Sequence, residues 1–382
     1  EEISCQACQM PTLTKGELFL ASVFETAARN KISLHELAGA NVSMLKLMKE
    51  HRDELNISAT EQDFDNVIAA TEDMLRFRTL DVTLFEGERT ADTTFVGIVV
   101  TNKAGHKFPS GYPARRAYIH LVATTAEGET LFESGAIDQN YELVGHDASY
   151  EPHHSIIRSE DQVQIYEQVL GDVNNNKTTV LIRAASALKD NRLPPIGFRQ
   201  DHEVYDTTQI SGLALLDEDF NTDLTGEGTG SDIVYFHIPT QGYLDVLNIP
   251  ATIFYQSMPP KWMAEIFAET SPEIDRFVDM YEGADRTPAV VGQDDLMVAG
   301  IVSTRETQPE LAARVYLSDD QTFRIETPTD VEVNIYNYLG QRVQQTYLLA
   351  GEHNIPTSLR RQLTVVHLYS PEGQFTRTIW VP

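Results

Sequence analysis

Near residue 79 the spacing of apolar residues changes from a helical period to a period of about two, and that change constrains the fold more than anything else in the chain. Downstream, Thr93 to Thr101 and Arg116 to Thr125 are runs of β-branched and aromatic residues, the second ending in the turn Glu127-Gly128-Glu129. Turn-forming clusters recur at Asn174 to Asn176, Asp190-Asn191 and Gly226 to Gly230. Short strands separated by regular turns predict an antiparallel β-sandwich over residues 79–283. A helical stretch is expected near its end, from Pro260 to Tyr281, with Trp262, Ile266, Phe267, Ile274 and Phe277 on one face.

Upstream, residues 1–78 read as helical. Ser or Thr stands three residues before Glu at Thr14–Glu17, Ser33–Glu36 and Ser58–Glu61, the pattern in which a hydroxyl and a carboxylate satisfy the open amides of a first turn. Three short helices packed as a cap are expected. Residues 284–310 lack periodicity and read as a linker. From residue 311 alternation returns: Val331, Val333 and Ile335 share one face, and the turn Tyr338-Leu339-Gly340-Gln341 follows. Six or seven short strands fit in residues 311–382, which predicts a small immunoglobulin-like sandwich. The fold class expected is therefore mainly β, with a short N-terminal helical cap and two sandwiches. A length of 382 residues is consistent with two or three domains.

The net charge of -28 argues against a nucleic-acid partner, because phosphate recognition needs a basic surface. It suits a chain kept soluble by self-repulsion or exposed to divalent cations. The tail is nearly neutral, with 6 basic and 7 acidic residues in 311–382, so the excess lies upstream. No run of about 18 apolar residues occurs, and no membrane span is expected. The sequence opens at Glu1 without a basic and apolar leader, so any signal peptide is expected to have been removed.

The two cysteines stand as Cys5-Gln-Ala-Cys8. Thiols at this spacing can form a local disulfide, supply half of a metal site, or anchor a c-type haem by two thioethers. The segment from Asp217 to Asp232 places Asp217, Asp219, Asp223, Glu227 and Asp232 in a Gly-rich stretch of oxygen donors, the type calcium prefers, without the spacing of a twelve-residue EF-hand loop.

The tail resembles the C-terminal sorting domain of the type IX secretion system of Bacteroidetes-type bacteria, through VNIYNYLGQRV, LLAGEHNIPT and the terminal TIWVP. That resemblance implies export across the outer membrane and a place on the cell surface or outside the cell. Residues 1–290 resemble the C-terminal portion of secreted multihaem c-type cytochromes, through SCQACQMP, HELAGANVSMLKLM, VTNKAGHKFPSGYPARRAYIHL, LFESGAID, EPHHSIIRSEDQVQIYE, LKDNRLPPIGF and YQSMPPKWM. The family's haem motif is Cys-x-x-Cys-His, and here Gln9 stands where the iron-ligating histidine is expected. A glutamine amide is a poor iron ligand beside imidazole.

Two readings stand. In one, haem c stays on Cys5 and Cys8 and iron takes ligands elsewhere, with His35 first and His106, His153 or His154 behind it. Adjacent residues of an extended chain point to opposite sides, so at most one of His153 and His154 is expected to face a site. In the other, haem is lost and the two cysteines form a disulfide, as an oxidising extracellular setting favours. The first implies electron transfer with surface or redox partners. The second implies a haem-free structural or assembly subunit of a surface layer or filament, with self-association. No Gly-x-Ser-x-Gly, His-Glu-x-x-His, P-loop or dinucleotide fingerprint occurs, and no enzymatic activity is expected.

Overall fold

A computed structural model describes residues 10, 12–13, 32–33, 38–146, 148–301, 311–318 and 321–382. The chain is mainly β, built from several antiparallel sheets, and divides into two compact units, Glu1–Gly300 and Ile301–Pro382.

In the first unit a short antiparallel pair, β1 (Thr12–Leu13) with β2 (Ile32–Ser33), precedes helices α1 (Val42–Glu50) and α2 (Glu61–Arg78). Helix α1 starts at the N-cap Asn41, not at Ser33, whose backbone pairs with Thr12. Helix α2 starts two residues later than its expected box. The segment 58–63 satisfies the capping spacing twice, and the pair that caps is Thr60 with Asp63: the Asp63 amide donates to Thr60 Oγ1 at 3.2 Å and the Thr60 amide to Asp63 Oδ2 at 2.8 Å. The helix ends at Arg78, and the first long strand starts at Leu80.

One sheet orders β3 (Leu80–Arg89), β4 (Thr93–Asn102), β13 (Ser231–Pro239) and β7 (Ile156–Ile157), with β7 parallel to β13. The other orders β15 (Ala289–Val298), β14 (Leu247–Gln256), β5 (Arg116–Thr125) and β6 (Thr130–Ser134), with β8 (Ile165–Tyr166) beside β5. Inward residues of both sheets, among them Ile98, Ile119, Leu121, Phe236 and Ile253, form one apolar core. Gly97 admits the ring of Phe85 over the sheet, since a Cβ there would lie 2.1 Å from that ring. The hairpins β9 (Gln168–Gly171) with β10 (Ser186–Asp190) and β11 (Thr222–Asp223) with β12 (Gly226–Glu227) lie outside these sheets.

Two expectations are corrected. The expected linker 284–310 contains β15, which pairs with β14 from Leu247↔Val298 to Tyr255↔Ala289. Its period was hidden by a bulge: Val291 is the extra residue between the pairs Val290–Phe254 and Gly292–Ile253, so the inward parity changes mid-strand. The expected single helix 260–281 is two, α3 (Pro260–Phe267) and α4 (Pro272–Gly283). Pro272 cannot donate a backbone hydrogen bond, and Ser271 before it caps α4 through the Ile274 amide.

Among the described residues the second unit has seven strands: β16 (Arg314–Ser318), β17 (Thr322–Thr327), β18 (Val331–Tyr336), β19 (Arg342–Leu348), β20 (Gly351–Pro356), β21 (Gln362–Ser370) and β22 (Gly373–Val381). They form a three-stranded sheet, β16-β17-β20, and a four-stranded sheet, β19-β18-β21-β22. Val331, Val333 and Ile335 are buried together with Val315, Phe323, Ile325, Val366 and Leu368. Gly340, at φ 72°, closes the turn between β18 and β19, where Asn337 Oδ1 accepts the amides of Leu339 and Gln341.

Candidate functional site

Five segments distant in sequence converge beside the body's apolar core. His153 lies on the extended stretch before β7, Gln164 immediately before β8, and Asn191 immediately after β10. Asp217 ends the 3-10 turn Gly212–Leu216, and Asp232 is the second residue of β13. Asp232 shares its strand parity with Val234, Phe236 and Ile238, so the alternation of β13 carries its carboxylate inward.

The side chains of His153 and Asp217 are 1% and 5% exposed, and Asp232 is fully buried. His153 Nε2 lies 2.9 Å from Asp217 Oδ2. Its other nitrogen, Nδ1, is met by two side-chain amides, Gln164 Nε2 at 2.8 Å and Asn191 Nδ2 at 3.0 Å. Backbone groups fix the orientation of both amides. The His154 amide donates to Gln164 Oε1 at 2.8 Å, and the Glu167 amide donates to Asn191 Oδ1 at 3.0 Å, so in each case the remaining nitrogen is the donor. Asn191 Nδ2 also donates to the Ile165 carbonyl at 2.8 Å. Nδ1 is therefore an acceptor, and the only position left for a proton on the ring is Nε2. Two buried carboxylates, Asp217 and Asp232, lie beside the ring.

Asp232 Oδ2 accepts from Tyr166 Oη at 2.8 Å and from Gln164 Nε2 at 3.2 Å. Its Oδ1 is buried and receives no hydrogen bond among the described residues. Burial pushes the Asp232 carboxyl up to about 6; His153 and the hydrogen bonds from Tyr166 and Gln164 oppose the rise, and the charge of Asp217 adds to it. Burial likewise keeps Tyr166 a firm proton donor, its phenol raised well above the ordinary value. Asp217 Oδ1 accepts the Asp219 amide at 2.9 Å, and the ring of Phe220 stands edge-on to His153 at 5.2 Å.

A second charged layer abuts the first. Lys189 is 2% exposed and donates to the carbonyls of Ile165 and Glu151 and to Glu167 Oε1 at 3.0 Å. Asp190 pairs with Lys107 at 3.1 Å and with Arg192 at 2.6 Å. Burial lowers both lysines, and their carboxylate partners oppose it. Near β5, Glu142 accepts from Arg116 Nη2 at 2.7 Å and from the amides of Leu143 and Lys261. Burial alone would raise the Glu142 carboxyl, but nearby His146 and the Arg116 guanidinium hold it well below the usual carboxylate range. His146 Nδ1 is 3.6 Å from Glu142 Oε1, an ion-pair rather than a hydrogen-bond distance.

The residues expected from sequence fall in different places. Cys5, Cys8 and His35 lie outside the described residues. His106 lines a cavity of about 100 Å³ with Met74, Leu75, Arg78, Arg115 and Tyr255. Its Nδ1 donates to the Lys107 carbonyl at 2.9 Å, which leaves Nε2 as the acceptor. His153 and His154 point apart: His154 Nε2 meets Glu151 Oε1 at 2.7 Å. His153 is closed in by Gln164, Asn191 and Phe220, and His154 would have to leave Glu151 to reach a haem iron.

The expected five-acid calcium loop is not assembled. Asp217 and Asp232 converge, but Asp223 is exposed and accepts from Thr225, while Glu227 accepts the Gln200 amide. The physical reason is the β11–β12 hairpin, which carries Asp223 and Glu227 on its own exposed strands while β13 takes Asp232 into the core. An imidazole in place of the missing acids changes the donor chemistry from all-oxygen to mixed nitrogen and oxygen. Gln164, Tyr166 and Asn191 were not expected from sequence. Asp232 carried a legible signal, an acid on the inward face of an alternating strand.

No family model and no curated protein sequence matches the chain. Among solved structures, a penta-haem cytochrome c552 from Thermochromatium tepidum aligns over 78% of this chain and 48% of its own, at 14% identity and TM-score 0.39. HBP35 of Porphyromonas gingivalis aligns over 85% and 70%, at 11% identity and TM-score 0.21. The BSP domain of a biofilm associated protein aligns over 84% and 55%, at 9% and 0.22. This chain spans about half of the cytochrome's length, and likenesses of this size carry no argument about activity.

Proposed function

We propose that the chain is an exported cell-surface protein whose body is a cytochrome-derived scaffold working as a haem-free structural or assembly subunit. The observation that supports this reading is the enclosure of His153, whose side chain is 1% exposed and walled in by Gln164, Asn191 and Phe220 against the approach of a macrocycle, together with the engagement of His154 by Glu151. The replacement of the family's ligating histidine by Gln9 points the same way. The tail, a separate compact unit with the sorting-domain resemblance, supplies the export address, and the partners are other surface proteins or further copies of the chain.

The electron-transfer reading keeps one specific support: His106 has its Nδ1 anchored on the Lys107 carbonyl and, among the described residues, no hydrogen bond at Nε2, an arrangement common to metal-ligating histidines. Intact mass and absorption of the purified chain separate the two. Loss of two hydrogens with no Soret band establishes a Cys5–Cys8 disulfide and supports the haem-free scaffold. A covalent mass increment of one haem overturns it and makes His106→Ala the variant whose iron spectrum must change. Deleting residues 311–382 is expected to hold the folded body inside the cell. Normal surface delivery of the truncated chain would remove the export role.

A further inference from the structure

We propose that His153, Asp217 and Asp232 form a binding site for one divalent transition-metal ion of the Mn²⁺, Fe²⁺ or Zn²⁺ class. One donor atom from each residue lies within 4.8 Å of the other two, with their side chains buried. Two arguments carry the site beyond a chance cluster of acids.

The first is charge. Two carboxylates, Asp217 and Asp232, meet in the interior beside His153, whose Nδ1 is occupied by the amides of Gln164 and Asn191. The nearby ammonium groups are engaged elsewhere, Lys189 on Glu167 and two carbonyls, Lys107 on Asp190 and the Gln209 carbonyl. Uncompensated carboxylates in a dry interior are costly, and a coordinated cation is one of the few ways proteins keep them.

The second is the pattern of lone pairs. Asp232 Oδ1 is buried and unbonded, while Oδ2 is held in place by Tyr166 and Gln164. Asp217 is held by the Asp219 amide on Oδ1 and presents Oδ2 to the ring. His153 is held by two amides on Nδ1 and presents Nε2. Each candidate ligand thus has one atom fixed by a supporting hydrogen bond, the outer-shell arrangement that orients metal ligands. The Nε2 to Oδ2 separation of 2.9 Å suits two adjacent ligands, since donors about 2.1 Å from one ion and at right angles lie about 3 Å apart. Binding exchanges the Nε2 proton for the metal: the N–H bond breaks, the nitrogen lone pair goes to the ion, and the proton leaves to solvent. One imidazole with carboxylates favours a borderline metal over Ca²⁺, which takes six to eight oxygens. This site does not depend on whether haem is bound.

The test is a Mn²⁺ titration of the full chain, freed of metal by chelator, at neutral pH and physiological salt. We expect one tightly bound equivalent, broadening of the His153 ring signals in NMR before those of other histidines, and proton release on binding Zn²⁺. Asp217→Asn should weaken Mn²⁺ binding at least about tenfold, and Glu227→Gln, an exposed acid of the same stretch, should leave it unchanged. Because Asp232→Asn alters the core and can fail to fold, the wild-type broadening is the deciding reading. Binding that leaves the His153 signals sharp, or no stoichiometric binding at all, overturns the site. Displacement of Mn²⁺ by equimolar Ca²⁺ overturns the transition-metal class.

Discussion

The two units bury different chemistry. The core of residues 301–382 is apolar apart from small neutral groups such as Thr327, Asn334, Thr364 and Ser370. The body buries Lys107, Arg116, Glu151, His153, Lys189, Asp190 and Asp232 beside an apolar core of similar make-up. An apolar sandwich is stabilised by area alone, about 1.5–3 kcal/mol for each large side chain fully buried. A buried ionic network costs desolvation and returns little net stability, but it fixes geometry and punishes the loss of any member. The tail's core therefore suits a unit whose value lies in folding by itself. The body's charged layer suits a scaffold that holds particular donor atoms in place.

The contrast breaks first at Lys189. Its replacement by Met leaves Glu167 buried without its cation and should cost the body about 3–5 kcal/mol, read as a drop in its urea midpoint with the tail unaffected. In the tail, Leu368→Ala removes an apolar side chain with no polar partner and should cost about 2–5 kcal/mol in the tail alone. Residues 311–382 made separately should keep that transition. If either substitution shifted both transitions equally, the two units would not be independent.

Glu142 sharpens the comparison through pH. Its carboxyl is depressed in the folded chain, so its stabilising contribution is complete above its unfolded value of 4.5 and is lost as pH falls below it. Glu142→Gln should cost the body about 1.5–3 kcal/mol at neutral pH, and the gap from wild type should narrow in acid. Buried ion pairs of this kind are missing from the tail's described core, so the tail's stability should fall less in acid. The smallest effect is expected at Thr60→Ala, which removes the α2 cap for about 1 kcal/mol, measurable as a helix-localised loss of amide protection.

Periodicity determined by itself what depends on neighbouring residues. The change from helix to strand near residue 79, the alternation of Val331, Val333 and Ile335, and the turn at Gly340 follow from local geometry that any chain with these residues shares. Local rules failed where two answers fitted equally or a bulge broke the count, as at Ser58 against Thr60 and at Val291. The inward acid at 232 was legible, but its partners were not. His153, Gln164, Asn191, Asp217 and Asp232 come from five segments, and no sequence spacing records that β7, β8, β10 and β13 bring them together. Strand pairing over long separations decided that, because a hydrogen-bonded ladder fixes each side chain's place by register, and register is a property of two strands rather than of one.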